Sequence, residues 1–276
     1  MNLILVPIDF SADSINALEH GIKFANTVGA NLRMIHIVNY KTFETPSFFR
    51  DLNEFNGKTV KDFLNLILYR YQRKLKKHLD YVISEGTVYN EISKQASEDN
   101  ADFIIMGTHG TSGNDSYKIG SNAFKVVTNT PCPVVTIRNG FIRQKLTKIV
   151  LPIDSSKHTR RKITATAEIA KIYNAEVHVI GVTETSIKDI IQKVDSWMNQ
   201  TVDYLNQKKI KNKFLMIQGN DITEMTIDYA KSVNADLISI MTDQGEHPVS
   251  LLLGPYAQHM VNNSPIPVLT IRPVNS

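Results

Sequence analysis

The chain has 276 residues, 42% of them hydrophobic, which is enough apolar material to build a core in each of two domains. Its 31 Lys and Arg against 27 Asp and Glu leave a formal charge of +4, spread along the chain and too weak to argue for a nucleic-acid partner. One cysteine, Cys132, rules out an intrachain disulfide framework and fits a reducing compartment, and no apolar run approaches the roughly 20 residues that a membrane helix needs.

Residues 3–8 are apolar, follow no basic segment and meet Asp9 at once, which reads as a first strand and not as a signal peptide. The expectation is a soluble, cytoplasmic protein with no membrane partner. In the first half, short apolar runs predict strands near 3–8, 31–38, 79–84, 102–107 and 133–138. Longer amphipathic runs predict helices near 12–28, 58–78, 87–99 and 119–129, with Ser11 as an N-cap and Gly29 just past the first helix. The Phe-rich segment 40–57 (Phe43, Phe48, Phe49, Phe55) is too apolar for a solvated loop and reads as cover for a core edge or as a lid. The basic run Arg70-Tyr71-Gln72-Arg73-Lys74-Leu75-Lys76-Lys77 carries Leu64, Leu68, Tyr71 and Leu75 at helical spacing, which leaves its charges on a solvated face.

After a short linker at 139–147 the pattern repeats. Strands are expected near 148–153, 176–183, 213–218, 236–241 and 267–271, and helices near 157–173, 186–208, 221–233 and 252–263. The repetition is literal in places. Val6-Pro7-Ile8-Asp9 returns as Leu151-Pro152-Ile153-Asp154, Asn100-Ala101-Asp102 as Asn234-Ala235-Asp236, and Thr130-Pro131-Cys132-Pro133-Val134-Val135-Thr136-Ile137-Arg138 as Ser264-Pro265-Ile266-Pro267-Val268-Leu269-Thr270-Ile271-Arg272. Alternating strands and helices specify an α/β fold of βαβ units on a parallel sheet, once per half. The domains are placed at 1–139 and 147–276. The proline pairs 131/133 and 265/267 remove ladder donors, so the last strand of each half is expected to begin late or lie at an edge. The apolar stretches behind those prolines are suited to meeting another edge, hence an expected self-association of the halves and a homodimer of chains.

The chemistry concentrates after the strand ending at Met106. Gly107-Thr108-His109-Gly110 is followed by nine residues and then by Gly120-Ser121 opening a helix. A phosphate needs main-chain N–H donors with no side chain in the way, and it favours a helix N-terminus. If the first and fourth strands are neighbours, Asp9 and Gly107 stand on two lips of one crevice at the carboxyl edge of the sheet. A carboxylate there reads either a ribose or base edge or holds a divalent metal such as Mg. The alternative for Asp9 is a plain capping role, since Asp154 persists in the second half. His109 reads as an incidental loop histidine, and none of the eight histidines has metal-ligand spacing.

The spacing Gly107-x2-Gly110-x9-Gly120-Ser121, with Val6-Pro7-Ile8-Asp9 and Cys132-Pro133-Val134-Val135, resembles the ATP-binding pattern of the universal stress protein family, and the likeness runs over the chain once per half. The resemblance implies an adenine nucleotide alpha hydrolase-like fold, a five-stranded parallel sheet of order 3-2-1-4-5 with helices on both faces. It also implies ATP, with Mg carried by the nucleotide, as the ligand. Carried over, Asp9 and Val38 contact the adenosine, with Pro7, Ile8 and Met106 as the strand-end residues around them. Gly107 lies by the ribose, and Gly110, Gly120, Ser121 and Asn122 hold the phosphates.

The second half departs from this pattern. Thr242-Asp243-Gln244-Gly245, eight residues and Gly254-Pro255 put Thr242 in place of the first glycine, shorten the loop by one and remove an N–H at Pro255, while Asp243 and Glu246 add negative charge. One nucleotide per chain is therefore expected. No general base or arginine finger is evident, which leaves a binding or signalling protein with at most slow hydrolysis. The rivals are an ATP-using enzyme of the same superfamily, such as a pyrophosphatase or nucleotidyl transferase, and a nucleotide-free scaffold.

Overall fold

In the computed structural model the chain divides into two compact units, Met1–Gly140 and Phe141–Ser276. The structure describes residues 1–38, 59–109, 120–138, 140–141, 145–156, 158–242 and 254–272. The Phe-rich insertion 40–57, Gly110 and residues 243–253 lie outside the described residues.

The N-terminal unit runs β1 (Leu3–Pro7), α1 (Ala12–Val28), β2 (Asn31–Val38), α2 (Val60–Tyr71), β3 (Leu79–Glu85), α3 (Val88–Glu98), β4 (Phe103–Gly107), α4 (Ser121–Asn129) and β5 (Val134–Ile137). Its sheet has the order β3-β2-β1-β4-β5 with every pair parallel. Successive residues Ile4, Leu5 and Val6 of β1 are all fully buried, so both faces of the central strand are covered, as a parallel sheet requires.

Helix α1 begins and ends where its sequence says. The Ser11 hydroxyl accepts from the Ser14 N–H, and Gly29 takes the left-handed conformation at φ 73° to close the last turn. Helix α2 ends earlier than its apolar spacing predicts, passing through a 3-10 turn at Gln72–Lys74 into extended Leu75. The physical reason is Asn26 on α1. Its amide donates to the Lys74 carbonyl at 2.7 Å and accepts from the Lys76 N–H at 2.7 Å, pulling the chain off the helix and toward β3. The basic run belongs to this turn: Arg70 and Lys74 flank the buried Tyr71 ring, whose hydroxyl donates to Glu19 at 2.7 Å.

The C-terminal unit runs β6 (Lys148–Ile153), a 3-10 turn at Thr159–Lys162, α5 (Ile163–Tyr173), β7 (Glu176–Thr183), α6 (Lys188–Gln207), β8 (Asn212–Gln218), α7 (Ile222–Ser232), β9 (Leu237–Met241), α8 (Pro255–Asn263) and β10 (Val268–Ile271). Its order is β8-β7-β6-β9-β10, again parallel throughout. Asn174, left-handed at φ 50°, takes the place of Gly29 after α5. As the prolines require, β5 and β10 start only after Pro133 and Pro267.

Near the amino ends of the strands each unit carries a polar clamp at the same position. Arg33 forks onto Asp80 at 2.7 and 2.9 Å and reaches Asp99 at 2.8 Å. In the second copy the buried His178 lies 2.7 Å from Glu176 and 2.9 Å from the Tyr229 hydroxyl, while Lys213 pairs with Glu176 at 3.2 Å. These clamps tie strand to strand and strand to helix at the edge opposite the candidate site.

Of the five non-glycine residues at positive φ among the described residues, one is a buried aromatic. Phe10, directly after Asp9, has φ 64° and is 1% exposed, with its ring 4.7 Å from His36 and 5.8 Å from Phe63. Aromatic packing holds a bulky residue in a region that costs about 1–2 kcal/mol. Phe10→Ala is expected to lower stability by about 3 kcal/mol, and Phe10→Gly by about 1 kcal/mol less, the reverse of the usual Ala–Gly order. Urea unfolding of both variants checks the sign.

Candidate functional site

Because β1 pairs with β2 on one side and β4 on the other, strand order reverses beside β1, and the carboxyl ends of these strands share one edge. Pro7 closes β1 with Ile8 and Asp9 just beyond, Val38 closes β2, and Met106 and Gly107 close β4. Gly120 is the N-cap of α4, whose first two residues are Ser121 and Asn122. The sequence-predicted residues thus gather on one edge of the N-terminal unit, Gly110 lying outside the described residues.

Asp9 builds the turn out of β1. Its Oδ1 accepts from the Ser11 N–H at 3.0 Å and from the Ser11 hydroxyl at 2.6 Å. Asp154 repeats this with Ser156 at 2.9 and 2.5 Å. Persistence of the aspartate in both copies therefore follows from the turn. The neighbouring Ile8 carbonyl lies 2.7 Å from Nδ1 of His36, a buried residue that sequence reading missed. Burial pushes the His36 pKa down, with the Ile8 carbonyl and Asp9 opposing, so the ring is neutral and Nδ1–H donates. A histidine in an apolar strand gives no signal of this until β1 and β2 are placed side by side.

Gly107 is a glycine because of α1. A Cβ on it would stand 2.8 Å from the Asp13 Cβ and 2.9–3.0 Å from the Asp13 main chain. The first turn of α1 rests directly on the end of β4. Next in the chain, the Thr108 N–H donates to Ile137 at 3.2 Å, and its carbonyl accepts from the Gly120 N–H at 2.7 Å. That bond closes the loop at its base and commits the Gly120 amide. The first helical bond of α4 is Phe124 to Gly120 at 3.0 Å, so the N–H groups of Ser121, Asn122 and Ala123 meet no acceptor among the described residues. Three donors without an acceptor among the described residues, at a helix N-terminus and a strand-order switch, are the kind of arrangement that suits an anion.

His109 is not the partnerless loop residue that sequence reading made it. Its Nδ1 lies 2.9 Å from the Thr108 hydroxyl and 3.7 Å from Asp13 Oδ1, and each of the two side chains is 15% exposed. Its Nε2 is buried with no hydrogen-bond partner among the described residues. Asp13 went unnoticed because it reads as an ordinary acidic residue in a first helical turn.

The second copy corrects the sequence alignment. Thr242 donates to Ile271 at 3.0 Å and its carbonyl accepts from the Gly254 N–H at 3.1 Å, reproducing Thr108 bond for bond. Thr242 therefore matches Thr108, Met241 stands where Gly107 does, and Asp243 follows in the place of His109. The spacing from 242 to 254 equals that from 108 to 120, twelve positions in each, so the loop is not shortened. Met241 thus carries a side chain where Gly107 has none. Residues expected in a helix from 157 form instead a 3-10 turn at Thr159–Lys162, and α5 starts only at Ile163. At the head of α8, Pro255 removes the N–H that Ser121 offers.

The C-terminal crevice carries its own cation. Lys162 is 1% exposed, and its Nζ donates to the Thr159 hydroxyl at 3.2 Å. Desolvation lowers its pKa to about 8, and Asp154 pulls the other way. At the position equivalent to Asn122 the second copy has Tyr256, whose hydroxyl is buried and whose pKa burial raises. Among the described residues no group of three His, Cys, Asp or Glu is placed to hold a metal ion, and no helix is long and apolar enough to cross a membrane.

Fold and site define a duplicated α/β protein with a helix N-terminus at the switch point of its first sheet. The model of the universal stress protein family matches residues 1–138 and again 145–272, and the chain belongs to that family. A universal stress protein of Methanocaldococcus jannaschii is 29% identical over 143 residues, 49% of this chain and 81% of its own length. One from Bacillus subtilis is 25% identical over 146 residues, 50% of this chain and 99% of its own length. The crystal structure of a universal stress protein from Archaeoglobus fulgidus superposes with a TM-score of 0.76 at 18% identity, covering 98% of both chains, a likeness of fold.

Gly107→Ala is expected to destabilise the ligand-free protein by about 1–3 kcal/mol through overlap with α1, read as a lowered unfolding midpoint. Lys162 yields a pH effect of defined sign. Its folded pKa, about 8, lies below the ordinary 10.5, so the unfolded chain binds more protons between those values and stability rises with pH across them. The gain relative to Lys162→Met is about 3 kcal/mol. Comparing the two proteins removes the opposing contribution of Cys132, whose thiol pKa burial raises to about 12. Urea unfolding of both near neutral pH and at about pH 10 tests it.

Proposed function

We propose that the N-terminal unit binds one ATP and that the C-terminal unit binds none, so that the chain is a cytoplasmic, stress-responsive binding or signalling protein with at most slow hydrolysis. The observation that carries this reading is the set of three unpaired main-chain donors at the head of α4, of which the second copy lacks one through Pro255. Ser121, Asn122 and Ala123 offer those donors to the phosphates, and the sequence pattern assigns Gly110 to the same role. Gly120 contributes by lacking a side chain, since its amide is already engaged with Thr108. Residues Pro7, Ile8, Asp9 and Val38 line the adenosine side and Met106 and Gly107 the strand end between, as in the sequence pattern.

Mg enters with the nucleotide. Asp9 Oδ1 already accepts two hydrogen bonds and no acidic cluster surrounds it among the described residues, which fits an ion held chiefly by phosphate oxygens. Association of chains into a homodimer belongs to the same reading and is tested by sedimentation.

Titration calorimetry with ATP is expected to give one site per chain. Ser121→Pro copies Pro255, keeps a residue that suits the first helical position, and deletes one donor. It is expected to weaken ATP about 10- to 100-fold with the unfolding midpoint unchanged. Two sites per chain, or no effect of Ser121→Pro, contradicts the reading. Rapid release of pyrophosphate or phosphate from added ATP would make the protein an enzyme.

A further inference from the structure

We propose that His109, set in place by Thr108 and Asp13, is the side chain that reads the phosphate end of the nucleotide. The inference rests on the ATP reading above and adds a residue that the glycine pattern does not contain.

His109 lies two residues past the end of β4, and Thr108 ties its main chain to the head of α4 through the 2.7 Å bond to Gly120. The ring therefore stands beside the first turn of α1, one residue after the main-chain bond to the head of α4. Its two nitrogens have different surroundings: Nδ1 is 2.9 Å from a hydroxyl and 3.7 Å from a carboxylate, while Nε2 is buried without a partner among the described residues. When the Thr108 hydroxyl donates to Nδ1, the ring proton sits on Nε2. When the ring carries both protons, Nδ1–H faces Asp13 and Nε2 still bears one. In a third state, with Nδ1–H donating to the Thr108 oxygen, Nε2 is a bare acceptor and a phosphate draws a second proton onto the ring, so that beside a phosphate the nitrogen without a protein partner is a donor that calls for an acceptor. A phosphate oxygen supplies one, and an ionised partner makes the bond a strong one.

Asp13 reaches this place only because Gly107 has no side chain, since a Cβ there would overlap the Asp13 main chain at 2.9–3.0 Å. The motif glycine thus acts through Asp13 as well as through open space. In the second copy the two residue types change places. Counting from the paired aspartates Asp9 and Asp154, Asp13 corresponds to His158, and by the threonine bonds His109 corresponds to Asp243. Asp243 lies outside the described residues, so this exchange is one of sequence. Met241 stands where Gly107 does, and a 3-10 turn takes the place of the first helical turn there.

The test compares ATP, AMP and adenosine binding by calorimetry in the full chain and in His109→Ala, His109→Gln, Asp13→Asn and the Asp13→Asn/His109→Ala pair. His109→Ala is expected to weaken ATP about 10-fold or more and leave adenosine within about twofold, and His109→Gln, which keeps an N–H, to recover part of the loss. Asp13→Asn is expected to weaken ATP less, and to add nothing once His109 is alanine, because it acts only through the ring. Equal losses for ATP and adenosine, an unchanged ATP affinity in His109→Ala, or additive losses in the pair overturn the proposal. A wild-type chain that binds no ATP overturns the ATP reading itself, whereas wild-type binding with an indifferent His109 overturns this inference alone.

Discussion

The contact on which the rest turns is that of a helix resting on a strand end with nothing between them. At Gly107 the first turn of α1 lies against β4 at a separation that no Cβ would tolerate. From that contact follows the placing of Asp13 beside His109. In the second copy, with Met241 at this place, a 3-10 segment stands where the first helical turn would be and a lysine lies in the interior. The same chain thus carries both arrangements on otherwise collinear frames.

The two copies also separate what a residue does for the fold from what it offers a ligand. Asp9 and Asp154 make the same turn with the same two donors, so that aspartate is structural in both. The threonine–glycine bond at the loop base is likewise common to both. What differs lies inside that frame: Ser121 against Pro255, Asn122 against Tyr256, His109 against Asp243, Gly107 against Met241. An open set of donors stands in one copy. In the other a buried ammonium lies beside the retained aspartate.

Much of the fold was legible in the sequence because the chain states its pattern twice and because parallel strands read as plain apolar runs bounded by turn residues. The caps at Ser11 and Gly29 fell where local chemistry puts them. What stayed hidden was decided by contacts between distant segments. Asn26 stops α2 by holding main chain some fifty residues away, and no local preference at 72–75 foretells it. The site glycines were legible as glycines, but Gly107 answers a helix as well as a ligand. The one-residue slip in aligning Thr242 arose because a threonine beside a glycine in one copy looks like its replacement in the other, and only the hydrogen bonds to Ile137 and Ile271 show that the threonines are equivalent. His109 and Asp13, nearly a hundred positions apart, become a pair only when β1 and β4 are neighbours.

The bond from Thr108 to Gly120, and its twin from Thr242 to Gly254, has a consequence for how such a chain changes over generations. Each is a clasp joining strand to helix with main-chain atoms alone, indifferent to the side chains strung between its two ends. A lineage can rewrite that short cassette while the open sheet and its helices beneath keep their arrangement. Duplication then becomes cheap experimentation, since either module can change its cassette without disturbing the frame.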